Sequence, residues 1–275
     1  MPRNASPPPT TSLRQRVQSV EVGVEVLNAL AALGGSASLS AVAGQLGESA
    51  AKVHRYMASF VETGLVAQNP RTQQYHLGLG AVRIGLAALR QCDPLRLGEP
   101  ALAALRELRV TSFMAVLGNK GPTILRIEEP ALPVTINVRA GSVLPWLFSA
   151  TGRVFLAYCG DIDPRRRAAA ELAGATREQR AAVPNQAAVA ALRQAVRERG
   201  YATIEDTLLR GVSAVSAPVF DHAGNLAAAL TALWASGALD ARQEERIRRR
   251  VASEAAGLSV LMGREAEAAS HREGG

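Results

Sequence analysis

Cysteine, lysine and aromatic side chains are all scarce in this 275-residue chain. Its two cysteines, Cys92 and Cys159, are too few for a disulfide framework and stand in no metal-ligand spacing. They read as structural thiols of a reducing, cytoplasmic protein. Lysine occurs only at 52 and 120, although lysine and arginine together number 31 against 24 acidic residues. The net charge of +7 is therefore an arginine excess. Much of that excess lies in Arg165-Arg166-Arg167 and Arg248-Arg249-Arg250, which read as solvated helix faces. No run approaches the roughly 18 to 20 apolar residues that span a bilayer, so no membrane partner is expected. The opening MPRNASPPPTTSLRQR lacks the apolar core of a signal peptide. Catalytic signatures are missing as well: no GxSxG, no HExxH and no glycine-rich phosphate loop. The histidines at 54, 76, 222 and 271 are scattered, and Asp161 and Asp163 precede Pro164 as helix-capping residues. The expectation is a protein that is not an enzyme and carries no cofactor or metal.

What is present is a helix-turn-helix pattern from Leu39 to Leu77. Leu39, Val42, Ala43 and Leu46 fall at i, i+3, i+4 and i+7, one apolar helical face. Ser38 or Ser40 can cap that helix and Gly47 can end it. Ser49 can cap the next helix, whose inner face is Val53, Tyr56, Met57 and Phe60. Leu65-Val66-Ala67 and Gln74-Tyr75-His76-Leu77 read as two strands around the turn Asn69-Pro70-Arg71-Thr72. Upstream, Val20, Val24, Leu27 and Ala31 predict a third helix ending at Gly34-Gly35. This order of elements is a winged helix-turn-helix, which lays its second helix in the DNA major groove. The face available for reading is Ser49, Ala50, Ala51, Lys52, His54 and Arg55, with Arg71 at the wing tip. Arg55 suits a guanine edge or a phosphate; Lys52 and His54 can reach phosphates or bases; the alanines offer apolar contact alone. Residues 1–77 carry six basic residues against four glutamates, so charge supports a DNA partner only mildly. The competing reading is a helical hairpin used for protein contacts.

Downstream, Val82, Leu86 and Leu89 continue a linker helix, and Leu95–Leu108 predicts another amphipathic helix. Runs at 113–117, 123–128 and 134–138 read as strands. A helix from about Ser149 to Tyr158 and helical stretches at 164–172 and 186–199 follow. Val212–Phe220 and Leu226–Trp234 form a predicted hairpin, and Ala241–Met262 a final helix with Ile247, Val251, Leu258 and Met262 on one side. The fold class is α+β, an antiparallel sheet flanked by helices. The boundaries expected are a disordered arm (1–16), a winged helix-turn-helix (17–80), a linker helix (81–94), an α+β domain (95–263) and a flexible tail (264–275). Arg3, Arg14 and Arg16 could follow phosphates, though a plain flexible leader is the simpler reading.

Four segments together resemble the IclR family of transcriptional regulators, over about Gln18 to Met262. They are Val53-His54-Arg55 within the helix-turn-helix; Gln74-Tyr75-His76-Leu77-Gly78 closing the wing; Arg139-Ala140-Gly141-Ser142-Val143-Leu144-Pro145 followed by Ala150-Thr151-Gly152-Arg153; and Gly200-Tyr201-Ala202 with Gly211 to Val219. The resemblance implies a GAF-like effector domain and a homodimer, often a dimer of dimers. It also implies a pseudo-palindromic double-stranded operator and control by a small organic acid or aromatic catabolite, as repressor or activator. It places an effector pocket at Leu147, Ser149, Ala214, Thr231 and Leu233, with Glu205 in the loop after Gly200-Tyr201-Ala202. Leu147, Ala214 and Leu233 are apolar where binders of very small polar acids place polar groups or a cysteine. With Trp146 and Phe148 nearby, the expectation is a larger effector, an aromatic or apolar carboxylic acid stacked on one of these rings. Ser149 and Thr231 would supply its hydrogen bonds. The recognition helix opens Ser49-Ala50-Ala51-Lys52, where relatives often have Pro, Lys or Arg, Ser and Thr, so an operator sequence does not carry over.

Overall fold

The computed structural model describes residues 17–130, 138–160 and 163–265. The expected N-terminal arm, the strand positions 134–137, Asp161 and most of the tail lie outside these residues. The chain divides into two compact units, Met1–Gln91 and Cys92–Gly275. No described helix is long and apolar enough to cross a membrane.

The first unit holds α1 (Gln18–Ala32), α2 (Leu39–Leu46), α3 (Ala50–Glu62), the wing strands β1 (Val66–Gln68) and β2 (Tyr75–Leu77), and α4 (Leu79–Leu89). The caps are local chemistry. Ser38 accepts from the Ala41 N–H at the start of α2, Gly47 ends it at φ 65°, and Ser49 accepts from the Lys52 N–H to start α3. Asn69 folds the wing turn by accepting from the N–H groups of Arg71 and Thr72. Val26, Leu30, Val42, Val53, Met57, Val66 and Tyr75 close one core, and paired backbone bonds between Ala37 and Tyr75 tie the α1–α2 turn to the wing.

The face expected for α1 is corrected. Val20 and Val24 are 62% and 51% exposed, while Gly23, Val26, Ala29 and Leu30 turn inward. Gly23 lets α1 lie close on α3: a Cβ there would stand 3.2 Å from the Phe60 ring. Spacing alone favoured the row of valines, because it cannot register a contact made through a missing side chain.

The second unit is a five-stranded antiparallel sheet in the order β4-β3-β7-β6-β5. Its strands are β3 (Thr111–Gly118), β4 (Gly121–Glu128), β5 (Ala202–Glu205), β6 (Val212–Phe220) and β7 (Leu226–Ala235). The helices are α5 (Pro94–Leu97), α6 (Glu99–Arg106), α7 (Ala150–Tyr158), α8 (Pro164–Ala173), α9 (Arg177–Ala182), α10 (Gln186–Arg199) and α11 (Ala241–Leu261). Side chains alternate across the sheet. Phe113, Ala115, Ala214, Ala229 and Leu233 pack with α7, α8 and α10; Met114, Val215, Ala217, Leu230, Ala232 and Trp234 pack with α6 and α11. Both faces are thus covered, which explains why β6 and β7 read as almost continuous apolar runs.

The single helix expected over Leu95–Leu108 is two short ones. Pro100 has no N–H to continue α5 into α6, and Gly98 at the break packs its backbone on Met114. The strand β5 and the short helix α9 carry no periodicity long enough to be read in advance. Val138, the described residue of the run 134–138, lies in no strand.

Candidate functional site

On the first unit, α3 presents Ser49, Ala50, Ala51, His54 and Arg55 as exposed residues, with Lys52 half-buried. Val53 and Met57 anchor the opposite face. The Ser49 hydroxyl is already the cap of the helix. Lys52 is not a free cation: its Nζ lies 2.6 Å from Glu48 Oε1, and that hydrogen bond holds the ammonium above its ordinary pKa. A phosphate would have to displace Glu48. Arg55 makes no ion pair among the described residues and stands clear at the centre of the face. Arg71 is exposed at the tip of the wing.

On the second unit, a cavity of about 290 Å³ lies between the sheet and the N-terminus of α7. Its apolar wall comes from Phe113, Val138, Leu144, Ile204, Val212, Ala214 and Leu233, with Leu208 and Leu209 of the β5–β6 loop over it. Its polar groups are few. Thr151 Oγ1 lies 2.9 Å from Thr231 Oγ1, which donates to Ser216 Oγ at 2.8 Å, a buried chain of three hydroxyls. Next to Thr151 is the rest of the first turn of α7, at Ser149 and Ala150, where the leading N–H groups of a helix have no acceptor within it. No charged side chain lines the cavity among the described residues. Nor, among the described residues, do any three His, Cys, Asp or Glu gather as a metal site would require.

Of the eight residues expected at an effector site, Ser149, Ala214, Thr231 and Leu233 line this cavity, and Trp146, Leu147, Phe148 and Glu205 do not. Trp146 is core: the Arg167 guanidinium sits 5.4 Å over its ring, and its backbone N–H and that of Leu147 both donate to the Glu171 carboxylate. Leu147 and Phe148 are buried in the same cluster, and Glu205 is exposed at the end of β5. The ring that does face the cavity is Phe113, which pairs with Thr231 across β3 and β7. The Ser149 hydroxyl is also spent locally, donating to Pro145 O and accepting from the Gly152 N–H. The Thr151 hydroxyl, which is not among the expected residues, lines the cavity and is hydrogen-bonded to Thr231.

Two further contacts hold the cavity in shape. Arg153 donates to Leu147 O and Thr203 O, both at 2.8 Å, tying α7 to the 144–148 segment and to β5. Burial lowers its pKa to about 10, so it stays charged at neutral pH. Asp206, at φ 51°, accepts from the Gly211 N–H and the Ser236 hydroxyl, which fixes the loop that carries Leu208 and Leu209. That apolar pair in an otherwise polar loop was the sequence signal available for the cavity's outer wall.

Comparison with known proteins gives the following. Residues 99–260 match the family described as bacterial transcriptional regulator IclR C-terminal, and residues 19–70 match the IclR helix-turn-helix domain. The crystal structure of HmgR from Pseudomonas aeruginosa aligns with a TM-score of 0.80 and 39% identity, over 90% of this chain and 99% of that one. The HTH-type transcriptional regulator XynR of Escherichia coli K12 is 25% identical over 252 residues, covering 90% of this chain and 98% of XynR. An IclR homologue from Microbacterium hydrocarbonoxydans, solved in complex with 4-hydroxybenzoate, aligns with a TM-score of 0.53 and 19% identity, over 88% of this chain and 98% of that one.

Proposed function

Because this chain belongs to the IclR family of transcriptional regulators, we propose that its operator binding is governed by a monocyclic aromatic or similarly apolar carboxylic acid held in the α7 cavity. The observation that carries the effector class is the lining: an apolar wall with one aromatic ring, few polar groups and, among the described residues, no charged side chain. A dry cavity of about 150 Å³ holds a benzene molecule, so about 290 Å³ has room for a ring with a short acidic substituent. The carboxylate would sit at the first turn of α7, on the Ala150 and Thr151 N–H groups, where the helix dipole favours an anion. The ring would lie against Phe113 and Leu233. That another protein of this fold is known in complex with 4-hydroxybenzoate is in keeping with the reading.

DNA would be read through Arg55 and His54 on α3, with Arg71 on the wing following the backbone. The active species is a homodimer. Val17, Val20 and Val24 at the start of the first unit and Leu79, Val82, Ile84 and Leu86 on α4 are exposed, and α4 buries none of its residues. Large apolar strips of this kind belong to interfaces. A two-fold pair would carry two copies of α3 to the two half-sites of a pseudo-palindromic operator. An effector that binds one arrangement of the pair better then shifts the population toward it.

Calorimetry on the full chain tests the effector. Benzoate-type and phenylacetate-type acids should bind saturably, and glyoxylate and pyruvate should not. Tight glyoxylate or pyruvate binding with aromatic acids inert would overturn the reading. Ala214→Phe should fill the cavity and abolish aromatic-acid binding while leaving the affinity of the free protein for a selected operator duplex intact.

A further inference from the structure

A carboxylate stands at the N-terminal end of α3, the end that meets base edges in a helix-turn-helix. Glu48 occupies the turn between α2 and α3, immediately before the Ser49 cap, and is exposed. The backbone fixes its place: the Glu48 N–H donates to Ala43 O across Gly47. One helical turn along, Lys52 Nζ lies 2.6 Å from Glu48 Oε1, with the Lys52 and Glu48 side chains 33% and 37% exposed. A glutamate four residues before a lysine is the favourable order for such a pair.

Cations are few on this surface. Between them α3 and the wing hold three, Lys52, Arg55 and Arg71. Arg55 and Arg71 are exposed and make no ion pair among the described residues. Lys52 alone carries its own counter-ion. Its hydrogen bond to Glu48 holds the ammonium above its ordinary pKa, and Glu25 of α1 adds to the same field. The lysine is therefore charged, but its charge is already answered. Taking a phosphate instead would leave the Glu48 carboxylate bare beside a polyanion. That exchange is unfavourable unless a donor from the DNA replaces the ammonium. In the major groove the donors are base amino groups, and a carboxylate accepts from N4 of cytosine.

We propose that Glu48 is a specificity-determining residue, which holds Lys52 off the phosphates of random DNA and releases it where a cytosine amino group takes its place. This rests on α3 being the helix that faces DNA. Phosphate contacts supply affinity for any duplex, and base contacts choose among duplexes. The pair makes one conditional on the other: Lys52 adds its phosphate contact only once a base has been read.

Fluorescence anisotropy on the full chain tests it, with a selected operator duplex and a scrambled duplex of the same composition, from 50 to 200 mM salt. Glu48→Gln should steepen the log–log salt dependence on the scrambled duplex by about 0.9 per bound copy, so that the fall in affinity over this range grows about threefold. The ratio of operator to scrambled affinity should drop at least about fivefold, as one base contact is lost. Adding Lys52→Met to Glu48→Gln should return the scrambled-duplex slope to its wild-type value. An unchanged slope or an unchanged ratio in Glu48→Gln, whose exposed position keeps the fold out of question, would overturn the proposal. So would a steeper slope that survives in the double variant, which would trace the gain to lost repulsion and not to Lys52. Arg55→Ala separates this from failure of the underlying reading. If it weakens operator binding while Glu48→Gln changes nothing, only the role of Glu48 is wrong; if neither variant changes binding, α3 does not face DNA.

Discussion

Gly152 has no room for a methyl group. A Cβ there would overlap the backbone of Pro145 and Trp146, because α7 passes hard against that segment. This is the physical content of the Ala150-Thr151-Gly152-Arg153 pattern that the sequence offered only as a resemblance. Gly152→Ala should cost about 3 kcal/mol of stability, read as a lowered urea midpoint. Thr231 is constrained differently. As the middle of three buried hydroxyls, it leaves both Thr151 and Ser216 short of a partner when replaced by valine, a loss of about 1–3 kcal/mol in the same measurement. On α3, Arg55→Ala should weaken operator binding by about 1–3 kcal/mol if Arg55 reads a base, with effector affinity unchanged; a fluorescence-anisotropy titration decides it. At this scale the sequence was legible where a residue's role is local. Thr231, Ala214 and Leu233 are named only through the family resemblance, and Phe113 is not named at all, because its place beside Thr231 depends on the sheet order. Trp146 and Phe148 attracted attention through rarity, and rarity says nothing about which side of a core a ring faces.

Helix ends were the most readable elements. Ser38, Gly47 and Ser49 do what their chemistry dictates, and α11 buries Ile247, Val251 and Leu258, with Met262 buried at its C-cap, as its periodicity predicts. The failures share a cause. The inner face of α1 turns on Gly23, and the break between α5 and α6 turns on Gly98 packing against Met114; in both, a neighbour distant in sequence decides. Ser149 illustrates an element-level role concealed behind a site-level one. Its hydroxyl caps α7, so Ser149→Ala should cost about 1 kcal/mol in thermal or urea unfolding and change aromatic-acid affinity little. A collapse of affinity with stability intact would reverse that assignment and put the hydroxyl on the ligand.

For the whole molecule, the composition foretold little: most of the charge excess lies outside residues 1–77, and the first unit gains its meaning from the second. The exposed strips on α1 and α4 make the assembly testable. Ile84→Glu should convert a dimer to a monomer in sedimentation velocity and cost far more operator affinity than either half-site contact alone, since the second contact is no longer tethered. An unchanged sedimentation coefficient would place the dimer contact elsewhere. The wild-type protein should lose operator affinity steeply with salt, as phosphate-contacting proteins do.

Strand β7 carries Thr231 on one face and Leu230 on the other, at consecutive positions in the middle of the sheet. A sheet clad on both sides has no slack direction. Whatever widens the cavity must push Leu230 and its neighbours Ala232 and Trp234 into the layer of α6 and α11. Selectivity among effectors is therefore written partly in residues that no effector touches, and repacking Met114 or Leu230 should retune it from behind.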